Sequence, residues 1–203
     1  MFWYTAFMTE QYLPELTEPV SLHGIAGLEN IPVRAGIELR PLMVSDAQRI
    51  LEILDTDPTI RERVSVASKM HSPEDVAEQV ETYQNDEHLI RYAIVQDNSP
   101  IGLVSFWRDV DNSFDAPDAP DDYGFGYFLD PANRGSGIVT DAVKSIMDRA
   151  IEVMHVNQFI AYCEDNNPGS IAVLTKVGFH PTDTVLEEQT TGWVERKYVR
   201  EIL

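Results

Sequence analysis

The segment Asn133-Arg134-Gly135-Ser136-Gly137 joins two stretches of opposite hydrophobic pattern, and that junction limits the possible folds more than any other part of the chain. Before it stands the apolar run Tyr127-Phe128-Leu129, stopped by Asp130-Pro131. After it, Ile138, Val139, Ala142, Val143, Ile146, Met147, Ala150, Ile151 and Met154 recur at the spacing of one helix face, with Asp141, Lys144, Asp148, Arg149 and Glu152 on the other. A strand, a glycine turn and a long amphipathic helix lying on a sheet are predicted. Glycines at 135 and 137 permit backbone angles closed to other residues and let a ligand approach the main chain. The unpaired N–H groups of the first helical turn and the positive end of the helix dipole then favour an anion there.

Two common anion sites are excluded. A nucleotide-hydrolase loop needs Lys and then Ser or Thr after its last glycine, and Ile138-Val139 stand there instead. A dinucleotide fingerprint needs a third glycine, and Thr140 occupies its place. Taken alone, the short loop fits a plain helix start as well as an anion site. Downstream, Gln158 to Cys163 reads as a buried strand, and Asn167-Pro168-Gly169-Ser170 opens a helix that Gly178-Phe179 closes. Arg-Gly-x-Gly loop, long helix, strand, Asn-x-x-Ser helix and Lys-x-Gly-Phe, in this order, resemble the acetyl-CoA-binding core of the GNAT acetyltransferase superfamily. The resemblance is nearest to its Rim-type branch, the ribosomal-protein N-terminal acetyltransferases, and runs from about Ile37 to the C-terminus.

Upstream, Ile37 to Leu42 predicts a short strand, and Ser45-Asp46-Ala47-Gln48 a capped start for a helix ended by Asp57-Pro58. A less regular stretch follows to Met70. Ser72-Pro73-Glu74-Asp75 starts a second helix with Val76, Ala77, Val80 and Tyr83 on its buried face. Leu89–Val95 and Ile101–Trp107 are strands about a turn at Asp97–Pro100. Asp109 to Asp122 carries six Asp without the spacing of a calcium loop and reads as exposed. A hairpin about Thr191-Gly192 ends the chain. The fold class expected is α+β, a GNAT fold with a mixed central β-sheet and about four helices. The domain is expected over 36–203, preceded by an N-terminal arm at 1–35 of no readable pattern. That arm begins with an aromatic run and is expected to pack on its own domain or on a second subunit, giving a homodimer.

Charge and cysteine content narrow the function. Fifteen Lys and Arg against 34 Asp and Glu give 15 − 34 = −19, which argues against nucleic acid as a partner and favours a cationic one, or reflects solubility alone. Cys163 is the one cysteine, and the five His residues lack paired ligand spacing, so neither a disulfide nor a metal is expected. No apolar run is long enough for a membrane span, and the apolar start lacks the basic residues of a signal peptide, so a cytoplasmic location is expected.

The resemblance implies a cofactor, acetyl-CoA, and a set of residues to hold it. Arg134, Gly135, Ser136, Gly137, Ile138 and Val139 are implied to bind the pyrophosphate of coenzyme A, and the backbone of Phe128 and Leu129 the pantetheine arm. Asn167 and Ser170 are implied to contact the cofactor too. Acetyl transfer needs a neutral amine, a route for its proton and a donor for the leaving thiolate. Many superfamily members carry a Glu before the loop where this chain has Gly124, and a Tyr in the last helix where it has Leu174. The Rim-type pattern implies a different pair, Ser170 as donor and Glu188 as base, with Asp122 and Tyr123 in reserve. Two functions stand at this point: an N-acetyltransferase acting on a primary amine, either a protein N-terminus or a small cationic amine, and a non-catalytic acyl-CoA-binding regulatory module.

Overall fold

Alternation of apolar side chains along Leu89 to Gln96 sends Tyr92 and Ile94 to one side of a sheet and Ala93 and Val95 to the other, and all four are buried. Both faces must therefore be covered, which calls for helices on each. The computed structural model describes residues 21–64, 66–109, 122–187 and 194–202. Its strands are β1 (Ile31–Arg34), β2 (Ile37–Pro41), β3 (Leu89–Gln96), β4 (Ser99–Asp109), β5 (Asp122–Leu129), β6 (Gln158–Cys163), β7 (His180–Glu187) and β8 (Val194–Glu201). They form one mixed sheet in the order β1-β2-β3-β4-β5-β6-β8-β7. Every neighbouring pair is antiparallel except β5 with β6.

Three helices cover one face: α1 (Ala47–Thr56), α2 (Pro58–Arg63) and α3 (Pro73–Gln84). Ile50, Ile53, Leu54, Met70, Val76 and Val80 pack there on Ala93, Leu103 and Phe128. The other face takes α4 (Ile138–Met154) and α5 (Pro168–Lys176). Ala142, Val143, Ile146 and Met147 of α4 meet Tyr92, Val104, Phe106, Phe125 and Phe159 there. The class is α+β with a mixed sheet, as the pattern predicts.

Four details differ from the sequence reading. Five α-helices are described rather than about four, because the chain stops at Asp57 and restarts at once. Asp57 accepts the Thr59 N–H (3.1 Å) as N-cap of α2, and Pro58 takes the first position, where its missing N–H costs nothing. Second, α1 is not capped by Ser45. A 3-10 turn at Val44–Asp46 precedes it, in which the Asp46 carboxylate accepts the Met43 N–H (2.9 Å) and a two-pronged contact from Arg40 (2.7 and 2.8 Å). Third, residues 21–35, which the pattern leaves outside the domain, are built into it. Ile31–Arg34 is the edge strand, Leu22, Leu28 and Ile31 are buried in the larger core, and the Tyr92 hydroxyl donates to the Leu28 carbonyl (2.8 Å). Fourth, β4 and β5 run longer than the apolar segments that announced them.

The start of α3 and the end of α5 follow the signals in the sequence. Ser72 Oγ accepts the Asp75 N–H (3.1 Å) while the Asp75 carboxylate accepts the Ser72 N–H (2.9 Å), a reciprocal capping box. At the far end of α5, Gly178 has φ +89°, its N–H donates to Thr175 (3.1 Å) and that of Phe179 to Leu174 (2.9 Å), the two bonds of a Schellman stop. The turn at Thr191-Gly192, residues 1–20 and nearly all of the Asp-rich loop lie outside the described residues. No described helix is long and apolar enough to cross a membrane.

Candidate active site

Strand β5 is joined to β6 at only two residue pairs, Tyr123 with Phe159 and Gly124 with Ile160. Past Gly124 the two strands part, while β6 stays paired with β8 along its whole length. From Phe125 to Leu129 one edge of β5 therefore lacks a strand neighbour, and a cleft of ≈ 1230 Å³ opens along it. It is bounded by the glycine loop and the start of α4 on one side, by the end of β6 and the start of α5 on the other, and by α2 above.

The loop is shaped by its neighbours as much as by its glycines. Asp130 accepts the Ala132 N–H (3.0 Å), bonds to Arg49 (2.5 Å) and begins a 3-10 turn at Pro131–Asn133. Gly135 and Gly137 follow at φ +78° and +81°, and a side chain at either would meet nothing within 4 Å, so it is the left-handed backbone that requires glycine. Gly137 is the N-cap of α4 and offers no side chain, so the first-turn N–H groups of Ile138 and Val139 stay available at the cleft wall. Arg34 of β1 braces the loop from behind, donating to the Ser136 carbonyl (3.0 Å) and to Asp141 (3.2 Å).

Arg134, Gly135, Gly137, Ile138 and Val139 line the cleft as a group. Arg134 is already engaged: its Nε donates to the Leu129 carbonyl (3.1 Å) and its Nη1 to Asp57 (2.7 Å). With its Thr59 contacts and this guanidinium, Asp57 is held below the usual carboxylate range. The Ser136 hydroxyl donates to Asn133 (2.9 Å). Phe128 and Leu129 bury their side chains on opposite faces of the sheet and lie along the cleft.

Asn167 and Ser170 are brought together by the N-terminal turn of α5. Asn167 Oδ1 accepts the Ser170 N–H (3.2 Å) as the cap. Ser170 Oγ lies 2.8 Å from the Tyr127 hydroxyl, a contact between partners 43 residues apart that no local pattern announces. Burial raises Tyr127 above the ordinary phenol range, so it stays neutral and serves as a donor or acceptor. Cys163, a buried thiol, lies at the same spot; burial raises it while the Ser170 hydroxyl acts in the opposite direction.

Gly124 and Leu174 stand where other superfamily members are expected to carry acid–base groups. Trp107, opposite Gly124 in the β4–β5 register, lays its indole over that glycine, and a Cβ at 124 would fall 2.4 Å from the ring. A glutamate side chain could enter only if the indole moved aside. Leu174 is buried in the core at 1% exposure. Asp122, the reserve base, is buried in a structural role, accepting from Gln158 (2.6 Å) and facing Lys197 (3.5 Å). The other reserve, Tyr123, packs against the larger core. Glu188 lies outside the described residues. Glu195 of β8 is a described carboxylate that does line the cleft.

Under α2 the wall changes character. Arg63 lines the cleft and pairs with Glu164 (3.3 Å), whereas Arg61 is a staple, donating to the Leu54 and Met70 carbonyls (2.8 and 3.2 Å). Lys69, Arg91 and Arg108 also line the cleft. The wall among the described residues is thus richer in cations than the chain as a whole. Among these residues, no group of three or more His, Cys, Asp or Glu is placed to hold a metal ion.

Residues 37–180 match the family described as Acetyltransferase (GNAT) domain. A probable N-acetyltransferase of Bacillus subtilis, YjcK, is 29% identical over 151 residues, covering 71% of this chain and 80% of the relative. The ribosomal-protein-serine acetyltransferase of Escherichia coli is 21% identical over 155 residues, covering 74% and 83%. Among solved structures, RimL, a ribosomal α-N-protein acetyltransferase in complex with coenzyme A, superposes with a TM-score of 0.72 at 20% identity, covering 86% of this chain and 98% of its own.

Proposed function

Because the chain belongs to the GNAT acetyltransferase family and is an N-acetyltransferase using acetyl-CoA, we propose that its acceptor is the α-amine of a protein or peptide N-terminus and that Ser170 serves the leaving thiolate. One observation carries this reading: Asn167, Ser170 and Tyr127 converge on the cleft that the parting of β5 and β6 opens, one strand-end away from the glycine loop. The main-chain N–H groups of Gly135 to Val139 would hold the pyrophosphate, with Arg134 shaping the loop through Leu129 and Asp57 more than contacting phosphate itself. The exposed edge of β5 at Phe128 and Leu129 would take the pantetheine arm as an added strand neighbour.

In the transfer, the C–N bond forms as the C–S bond breaks, the amine loses a proton and the thiolate gains one. Ser170 would be the donor to that thiolate, a role supported by Tyr127, which fixes the direction of its hydroxyl, and by Asn167, which fixes the helix turn that carries it. Glu188 is proposed as the base that takes the amine proton, and Glu195 is the carboxylate to compare with it. The excess of acids in the chain favours a cationic acceptor, but the cations on the cleft wall support an N-terminal peptide amine more than a polyamine.

Thiol release from acetyl-CoA, followed against N-terminal peptides, polyamines and aminoglycosides, tests this. Peptide-dependent release is expected, with Ser170→Ala lowering kcat by about 100-fold at little change in the KM for acetyl-CoA. Turnover unaffected by Ser170→Ala at saturating cofactor would remove Ser170 from the mechanism.

A further inference from the structure

Paired residues of antiparallel strands share a face. Arg91 of β3 is in register with Ser105 of β4, and Ser105 with Gly126 of β5, so the three form a row on the face that α1 to α3 cover. The row ends at the Gly126 backbone on the cleft; the next residue, Tyr127, points to the opposite face, where its hydroxyl meets Ser170. Two strand spacings put Arg91 roughly 10 Å from the Gly126 backbone, the span of about two or three extended residues.

The Arg91 guanidinium carbon lies 3.4 Å from the centroid of the Tyr83 ring, and its Nε and Nη1 are buried without a hydrogen-bond partner. His88 Nδ1, on the same wall, is likewise buried and unpartnered. Unfilled donors on a half-buried cation are costly, and a carboxylate accepting a charge-assisted hydrogen bond from the guanidinium offsets part of that cost. Burial lowers Arg91 to about 10, which leaves it cationic at neutral pH. The Tyr83 side chain, and Asp86 at a distance, favour the charged form of Arg91, while Glu164 faces Arg63 at 3.3 Å with its Oε2 buried and otherwise without a hydrogen bond. Among the described residues, the whole cleft wall holds six Lys or Arg side chains, Arg134 of the glycine loop and Lys176 of α5 among them, and three Asp or Glu, in a chain with 15 and 34. The positive wall is thus a local reversal of the molecule's charge.

We propose that this end of the cleft is a receptor for an anionic group, so that the acetylated amine belongs to an acidic peptide whose carboxylate, within the first few residues, is seated at Arg91. The proposal rests on the peptide-amine reading above. It specifies the acceptor class within that reading.

The test compares three peptide amides alike except for Asp, Asn or Lys beside the N-terminal residue, read by thiol release. The Asp peptide is expected to exceed the Asn peptide in kcat/KM by about tenfold, with the Lys peptide lowest. Arg91→Gln should bring the Asp-to-Asn ratio close to one while the KM for acetyl-CoA holds, and Arg91→Lys should keep part of the ratio. Lys69→Gln, a change at an exposed side chain, should lower the ratio by a smaller factor and guards against a misfolded Arg91 variant. Equal rates for Asp and Asn peptides, preference for Lys, or an equal loss on both peptides in Arg91→Gln would overturn the anionic receptor while acetyl transfer stood. Absence of release with every amine would overturn acetyl transfer itself, and this proposal with it.

Discussion

Ser170 and Asn167 were legible because their spacing is a local property of one helix start, whereas the group that orients Ser170 was not. Strand alternation gives the side of the sheet on which Tyr127 lies, but the meeting of its hydroxyl with Ser170 depends on how α5 docks on β5. Tyr127→Phe keeps the ring in place and removes that one bond. The expected result is a fall in kcat of about fivefold, corresponding to a hydrogen bond of ~1 kcal/mol, with acetyl-CoA affinity by calorimetry unchanged. A loss of cofactor affinity instead would mean that Tyr127 shapes the binding site and not the direction of the hydroxyl. Gly124 teaches a similar lesson. Its missing side chain reads in sequence as a lost base, and in space as room for the Trp107 indole. Restoring the carboxylate by Gly124→Glu alone should therefore destabilise the protein in a melting experiment, and Trp107→Ala should relieve that damage.

Elements with long periodic patterns were readable, and two of the short ones, α2 and β1, were not. The 17 residues of α4 repeat their apolar face often enough to be unmistakable. The six residues of α2 and the four of β1 do not complete enough periods, and both are held by neighbours, α2 by its Asp57 cap and β1 by pairing with β2. The glycine loop depends on both of these hidden elements, through Arg134 to Asp57 and Arg34 to Ser136. Gly137→Ala tests the loop directly. A left-handed backbone costs an alanine about 1–2 kcal/mol, so the melting temperature should drop modestly and the KM for acetyl-CoA should rise, although no atom would clash.

At the scale of the whole molecule, a formal charge of −19 sets a repulsive field for any polyanion, coenzyme A included. The glycine loop attracts only at short range. Association of acetyl-CoA should accordingly quicken as salt is raised, since the screening length falls from about 30 Å at 0.01 M to about 8 Å at 0.15 M ionic strength. Stopped-flow binding at the two salt concentrations measures this, and a slower rate at the higher one would locate the controlling field in the cleft wall instead. The fold class was readable at this scale because element order restricts topology strongly. The parting of β5 from β6 was not, since both strands look complete in sequence. That parting divides the sheet into a five-stranded meander and a three-stranded remainder joined across β5 and β6 by two residue pairs. Under mechanical load applied across the strands, such a seam is where the sheet tears first, and a molecule lying in it and touching both parts acts as a rivet.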